Sequence, residues 1–332
     1  SYLHKYAYPD WYSEHQQRDR KLETARTHSA GRVGCIQLRG EYLFTAAGED
    51  GFRVFDVASV ANKGFSQRII TAPFSPLGHD THVDTENATC LDLVTTQPVH
   101  PDRNEGELMR ETNAEQPFHP IYDYAVITDA EEGLILVDIN TMADGEPRNN
   151  HLERALTWNE DDVLDGARHV EMGGHYAYVA ADRGLVILNL DDPMSPKVAA
   201  IVEMEDVRAS ALQFRYLFAV DAEGLKTIDV TDPAKPELVA DHTIRLRDAH
   251  NLYLARTYAY VAAGTEGVVI VDIERPEAMS VYRRFNAGGG IRDARDVIVA
   301  TTNASLFAYV ADGDSGLKVL QLTSPDSQSN FY

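Results

Sequence analysis

The stretch Gly267-Val-Val-Ile-Val-Asp272 decides the fold of this chain. β-Branched residues are restricted at χ1 and fit a pleated sheet better than a helix. A short apolar run bounded by turn residues indicates a buried strand. The same pattern of a glycine, an apolar strand and a polar end recurs at Gly51–Asp56, Gly133–Asp138, Gly184–Asn189, Gly224–Asp229 and Gly316–Gln321. Such an internal repeat indicates an array of similar units.

Each repeat is predicted to hold four short strands joined by turns. In the first repeat we expect these strands at 33–38, 41–46, 52–57 and 67–71. The turn before the third strand ends in the repeat glycine, which supplies the positive φ that a tight hairpin needs. Six four-stranded units of roughly 40 residues predict an all-β fold, a six-bladed β-propeller, over a linear solenoid.

The last repeat has only three strands of its own, at 295–299, 306–310 and 317–322. We expect Leu22–Thr27 to supply its outermost strand by pairing with Leu317–Leu322, since closing the ring in this way removes exposed sheet edges. The predicted propeller domain therefore covers residues 22–325. A tail follows at 326–332.

Two segments stand apart from the repeats. Residues 1–21 form an aromatic arm that includes Tyr8, Trp11 and Tyr12, and an insert at about 95–120 separates the first two strands of the second blade. Aromatic residues are common in interface cores, and long loops in compact domains are usually functional or disordered. We therefore predict partner docking through the arm and through His100, Phe118 and His119 of the insert. An arm that packs on its own domain and an insert without a partner are the alternatives.

The charge balance limits the range of partners. The 332 residues include 52 acidic and 30 basic side chains, which gives a formal net charge of −22. This charge opposes general affinity for nucleic acid and for anionic membranes. It suits cations or a basic partner, although an acidic surface also serves solubility alone. No apolar run is long enough to span a membrane, and no Cys-x-x-Cys-His motif is present to attach c-type haem covalently.

The strand motifs resemble the LVIVD-repeat family. The resemblance rests on Gly267–Asp272, preceded by Tyr258-Ala-Tyr-Val-Ala262 and Arg247-Asp-Ala-His250, and it covers about residues 31–325. It implies an extracytoplasmic bacterial or archaeal β-propeller, of a subgroup often associated with multihaem cytochromes. It transfers no catalytic residue, because the family has no agreed catalytic motif.

Polar residues cluster just before and within the first strand of each repeat. Our alignment places Gly34, Thr89, Arg168, Ser210, His250 and Arg295 at one position. The next position holds Cys35, Cys90, His169, Ala211, Asn251 and Asp296, and two residues before the first set lie Arg32, Asn87, Gly166, Arg208, Asp248 and Asp293. Since the first strands line the channel of a propeller, these side chains are expected near its mouth. We predict that Arg32, Arg168, His169, Arg208, Asp248, His250, Asp293 and Arg295 form a ligand site there, although wet, polar channel mouths are also common without a ligand.

Two other segments are weaker metal candidates. His79, Asp80 and His82 could hold a transition metal, and the alternative is an ordinary loop. Asp312-Gly-Asp-Ser-Gly316 resembles part of a calcium loop but lacks its downstream glutamate, and a hairpin turn explains it as well. A divalent cation therefore remains an open cofactor prediction.

The two cysteines occupy matching places in adjacent repeats. Cys35 and Cys90 are therefore predicted to form a disulfide, as an extracytoplasmic setting favours. Two buried free thiols are the alternative, because bridged Cα atoms must lie within about 7 Å of each other.

The function predicted from these features is a non-catalytic scaffold or docking propeller outside the cytoplasm, in an assembly with protein partners that include a multihaem cytochrome. A metal-dependent, lactonase-like hydrolase is the first alternative, with Asp248, Asp293 and Asp296 joined by Asn87 or Asn251 in the channel. A surface adhesin is the second. The sequence contains no Gly-x-Ser-x-Gly motif, phosphate-binding loop or dinucleotide fingerprint.

Overall fold

The computed structural model describes residues 32–40, 42–56, 81–94, 119–142, 150–239, 243–301 and 305–323. These residues form 24 strands in six antiparallel sheets and no α-helix. The fold is the predicted all-β, six-bladed β-propeller, with each sheet as one blade. The chain divides into two compact units, 1–162 with 191–195, and 163–190 with 196–332.

The first unit contains blades 1 and 2. Blade 1 is ordered β1 (Cys35–Arg39), β2 (Tyr42–Ala46), β3 (Phe52–Asp56) and β4 (His82–Val83). Blade 2 is ordered β5 (Ala88–Leu93), β6 (Tyr124–Asp129), β7 (Gly133–Asp138) and β8 (Glu153–Trp158). Side chains from both blades share one core, including Phe44, Phe52 and Ile135.

The second unit contains the other four blades. Blade 3 consists of β9 (His169–Gly173), β10 (Tyr176–Ala181), β11 (Gly184–Asn189) and β12 (Lys197–Val202). Blade 4 consists of β13 (Ala209–Gln213), β14 (Tyr216–Val220) and β15 (Gly224–Asp229), followed by the short strands β16 (Glu237–Leu238) and β17 (Ile244–Arg245), which both pair with β15. Blade 5 consists of β18 (Asn251–Ala255), β19 (Tyr258–Ala262), β20 (Val268–Asp272) and β21 (Ser280–Phe285), and blade 6 of β22 (Ala294–Thr301), β23 (Leu306–Asp312) and β24 (Gly316–Thr323).

The only helical segments in the described ranges are single 3₁₀ turns. They lie at Pro120–Asp123, Asn140–Met142, Glu160–Asp162, Pro276–Ala278 and Ala287–Gly289. No helix among the described residues is long and apolar enough to cross a membrane.

The repeat chemistry explains the third strand of each blade. All six repeat glycines have φ between +75° and +137°. A Cβ at Gly267 would lie 2.3 Å from the carbonyl oxygen of Phe285, so this position needs glycine for space as well as for conformation. The four residues Val268–Val271 that follow are all buried, which accounts for the apolar run that indicated a strand.

One strand of blade 1 was not predicted. It is His82–Val83, which pairs with Arg53 and Phe52 of β3. Residues 67–71 are outside the described residues. Two residues are too few to show an alternating apolar pattern, so the strand His82–Val83 gives no signal in the sequence.

Several predicted segments lie outside the described residues. They are the aromatic arm at 1–21, the closing strand Leu22–Thr27, the tail at 326–332 and most of the insert. Among those that the structure describes, blade 6 has three strands, and the outer edge of β24 carries no fourth one.

Candidate functional site

The candidate residues of the second unit lie at the entrances to the first strands of its blades. The first strands β9, β13, β18 and β22 contact one another in chain order. The backbone N–H groups of Arg168, Arg208 and His250 donate to the matching second strands, at Ala180, Val220 and Ala262 respectively, over 2.8–2.9 Å. Arg168, Arg208 and His250 are therefore structurally equivalent.

This equivalence corrects the sequence alignment in blade 4. The alignment gave Arg208 the position of Asp248 and gave Ser210 the position of Arg168, a shift of two residues. Side chains in a strand alternate with a period of two, so a slip of two keeps every side chain on its correct face. The hydrophobic pattern alone could not reveal the error, and the residue that actually matches Asp248 is Asp206.

With this register, the charged side chains form one ladder that links successive blades. Arg168 contacts Asp182 of its own blade and lies 3.1 Å from Asp206 of blade 4. Arg208 lies 2.7 Å from Asp206 and 3.0 Å from Asp248 of blade 5.

The ladder continues into blade 6. His250 Nε2 lies 3.0 Å from Asp248 Oδ2, and Arg295 Nε lies 2.7 Å from Asp293 Oδ1. Arg295 Nη1 is 3.5 Å from His250 Nδ1. The ladder therefore runs from blade 3 to blade 6. It includes six of the eight predicted site residues, Arg168, Arg208, Asp248, His250, Asp293 and Arg295, and leaves out Arg32 and His169.

The ladder changes the protonation equilibrium of its central acid. Partial desolvation raises the pKa of Asp248, but the contacts from His250 and Arg208 outweigh it and hold the pKa below its usual value. Asp248 therefore remains an anion at neutral pH.

The next position of the first strands carries His169, Asn251 and Asp296. Desolvation lowers the pKa of His169 to about 4, and its Nδ1 accepts a hydrogen bond from the Ser210 N–H at 3.4 Å. Desolvation also raises the pKa of Asp296, and hydrogen bonds from Val297 N and Asn251 Nδ2, each 2.8 Å long, only partly offset it. Asp296 is thus paired with Asn251. The structure brings Asp248 and Asp293 together with His250, a combination that the hydrolase alternative had not included.

In the first unit, Cys35 and Cys90 join the first strands of blades 1 and 2. The structure joins them in a disulfide, and their Cα atoms lie 4.8 Å apart, within the usual range for such a bond. The register is the one that the repeat alignment suggested. Arg32, which precedes β1, is exposed.

The remaining metal candidates have structural partners. His82 lies in β4, with Nε2 2.9 Å from the Asp50 carbonyl oxygen and Nδ1 3.5 Å from Asp84. His79 and Asp80 are outside the described residues. The Asp312 carboxylate accepts a hydrogen bond from the Ser315 hydroxyl within the hairpin turn at 2.6 Å and one from the backbone N–H of Asp293, just before β22, at 2.9 Å.

The prediction that His119 docks a partner is corrected. Its side chain is fully buried, its Nδ1 accepts from Ile121 N at 3.1 Å, and its Nε2 lies 3.0 Å from Asp191. The imidazole fixes the 3₁₀ turn that begins at Pro120 and cannot reach a partner. Tyr8, Trp11, Tyr12, His100 and Phe118 are outside the described residues.

An apolar groove between blades 5 and 6 was not predicted from the sequence. It encloses about 920 Å³, and its walls include Tyr253, Tyr258, Tyr282, Phe285, Leu320 and Leu322. Tyr282 is 65% exposed, and its ring lies 5.3 Å from that of Tyr258. The signal in the sequence was the aromatic pair Tyr282 and Phe285 in an outer strand, where polar residues are usual.

Comparison with known proteins identifies the repeat and the fold. The LVIVD repeat matches residues 166–203, 246–286 and 291–327. No curated protein matches the sequence.

Solved structures are similar in fold alone. A putative 6-phosphogluconolactonase from Bacteroides uniformis is 10% identical, with a TM-score of 0.54 over 91% of this chain and 78% of that one. The computationally designed Ika8 protein is 11% identical, with a TM-score of 0.52 over 87% of this chain and 71% of its own. The chain is therefore a β-propeller that carries the LVIVD repeat in three of its blades.

Proposed function

We propose that this chain is a non-catalytic docking propeller outside the cytoplasm, in an assembly that includes a multihaem c-type cytochrome. A β-propeller with LVIVD repeats fits a protein-interaction or scaffold role. The cytochrome partner follows from the family resemblance, and the net charge of −22 favours a partner with a basic face.

The observation that carries this proposal is the ion-pair ladder. Arg168, Arg208 and Asp248, which the sequence placed in a predicted ligand site, lie in ion pairs that cross from blade to blade through Asp206. Paired in this way, they hold adjacent blades in register. These ion pairs make the contacts between neighbouring blades more rigid, and a docking surface needs a rigid support.

The Cys35–Cys90 disulfide supports the proposed compartment. Disulfides form and persist in oxidising environments and are rare in the cytosol. This bond joins the first strands of blades 1 and 2 within the first unit.

We place the docking surface on the aromatic arm and the second-blade insert, without His119. Pro98, Pro101 and Pro117 restrict the insert, which lowers the entropy lost on binding. Trp11 and Phe118 offer the large apolar side chains that interface cores favour.

Binding to a purified multihaem c-type cytochrome of the producing organism tests the proposal. The expected result is saturable binding by surface plasmon resonance that weakens as salt rises, since the attraction is electrostatic. Replacing residues 97–117 with a Gly-Ser linker should abolish binding, whereas the same replacement of the exposed turn at 232–235 should not. Equal binding by both variants would remove the insert from the docking surface, and no binding by the native chain would contradict the proposed partner.

The hydrolase alternative has one observation in its favour, the proximity of Asp248, His250 and Asp293. Asp296, which this alternative also named, is outside that group and accepts a hydrogen bond from Asn251, another of its candidate ligands. The scaffold role therefore remains the better supported function.

A further inference from the structure

We call each contact of the ladder between two successive blades a rung. The rung between blades 5 and 6 has a histidine where the other two have an arginine. At two equivalent positions, Arg168 and Arg208 each extend a guanidinium to the acid at the entrance of the next blade. At the third position the residue is His250, and the acid at the next entrance is Asp293. An imidazole side chain is shorter than that of arginine, and in its neutral form one ring nitrogen carries a lone pair. This rung can therefore bind a cation, whereas the guanidinium groups of the other rungs are themselves cations.

The donor atoms at this rung converge. Asp248, His250 and Asp293 each offer one ligand atom, and these atoms all lie within 4.8 Å of one another. His250 Nε2 is buried, and although it lies 3.0 Å from Asp248 Oδ2, it has no hydrogen bond of suitable geometry to any described residue. Buried ring nitrogens in folded proteins usually have a well-aligned hydrogen-bond partner, a water or an ion.

An arginine contacts one oxygen of each of the two carboxylates. Arg208 Nη1 donates to Asp248 Oδ1 at 3.0 Å, and Arg295 Nε lies 2.7 Å from Asp293 Oδ1. Each carboxylate thus keeps a second oxygen that these arginine contacts do not use. Hydrogen bonds to the outer atoms of ligating carboxylates orient them in metal sites, and they also offset part of the local negative charge.

We propose that Asp248, His250 and Asp293 form a binding site for a divalent transition-metal ion of the Zn²⁺ class. One imidazole nitrogen and two carboxylate oxygens suit this class, whereas Ca²⁺ and Mg²⁺ prefer oxygen donors throughout. Three protein ligands leave further coordination positions for water or for a ligand of the partner. Asp248 and His250 belong to blade 5 and Asp293 to blade 6, so a bound ion would link the two blades. This proposal does not rest on the docking role proposed above.

The test uses the untagged full chain, stripped with a chelator and titrated with ZnCl₂ by calorimetry. The native chain is expected to bind one Zn²⁺ and to melt at a higher temperature when the ion is present. His250→Arg rebuilds the rung found at Arg168 and Arg208, so it is expected to keep the fold and to weaken binding by about 100-fold. Asp293→Asn should weaken binding in the same way, and Asp296→Asn, which alters a nearby acid outside the set, should not.

Two results would overturn the proposal. If the native chain binds no Zn²⁺, or if both His250→Arg and Asp293→Asn bind it as tightly as the native chain, these three residues do not form the site and any bound Zn²⁺ lies elsewhere in the chain. If His250→Arg fails to fold, judged by circular dichroism, Asp293→Asn against Asp296→Asn decides the question alone.

Discussion

Arg168 in blade 3 and Asp206 in blade 4 are joined by an ion pair, with Nη1 and Oδ1 3.1 Å apart. The same relationship recurs one blade further on, between Arg208 and Asp248. Because both pairs join the entrances of consecutive first strands, they act on the register between blades. The side chains keep 30% and 40% of their exposure in the first pair, so solvent screens the attraction.

A double-mutant cycle measures the Arg168–Asp206 pair. We expect Arg168→Met and Asp206→Asn to show a coupling free energy of about 0.5–1 kcal/mol in urea unfolding, reduced at high salt. Asparagine is the suitable replacement because Asp206 has φ of 52°, a conformation that asparagine tolerates. The exposed pair Lys235–Asp232, at 3.7 Å, is the control and should show no coupling. Equal coupling in both pairs would mean that the ladder has no special role.

The disulfide is predicted to be intact in the native protein. Denatured, non-reduced protein should offer no thiol to an alkylating reagent in mass spectrometry. The bond closes a loop with a sequence separation of 55, so reduction or the double change Cys35→Ala with Cys90→Ala should cost about 2–4 kcal/mol of stability. Two alkylated thiols per native chain would instead support the free-thiol alternative.

His169 is expected to make stability depend on pH below neutrality. Its pKa falls from 6.5 to about 4 on folding because of desolvation, so the unfolded chain takes up the proton first as the pH drops. The contribution is complete above about pH 6.5 and is lost between there and about pH 4. Between pH 7 and pH 5 the free energy of unfolding of the native chain should fall by about 2 kcal/mol more than that of His169→Gln, whose side chain does not titrate. Unfolding curves with the same pH slope for both proteins would show that His169 remains solvated.

Closure of the last blade is predicted to come from the N-terminal segment. Residues 22–27 are expected to pair with β24, whose outer edge is unpaired among the described residues and borders the groove of Tyr282 and Phe285. Deleting residues 1–28 should lower the melting temperature sharply and increase binding of a hydrophobic dye, since the edge of β24 would then be exposed. Deleting only the arm at 1–21 serves as the control and should do neither. If the two truncations behave alike, this strand does not close the ring.

The sequence was sufficient for the fold because the repeat restates one pattern six times. A glycine at positive φ before a buried apolar strand has few structural solutions, so Gly267–Asp272 and its copies could be assigned with their turns. The short outer strand His82–Val83 was missed, since two residues are too few to show a periodic signal.

The site was harder to predict than the fold. Convergence of Asp248, His250 and Asp293 follows from the repeat, but which charges pair depends on the register between blades, and a shift of two residues leaves the pattern of faces unchanged. The burial of His119 was not visible either, because it depends on contacts with Ile121 and Asp191, the latter 72 positions along the chain.

The central claim, a docking role beside a multihaem cytochrome outside the cytoplasm, is tested most directly by the haem content of the native complex. The chain is isolated from the cell envelope at low salt, and haem c is measured by its pyridine haemochrome spectrum in the size-exclusion fraction that contains the chain. The account predicts that haem co-elutes with the chain at a fixed ratio and separates from it at about 0.5 M salt, where charges are screened. A chain that elutes alone and free of haem at low salt would contradict it.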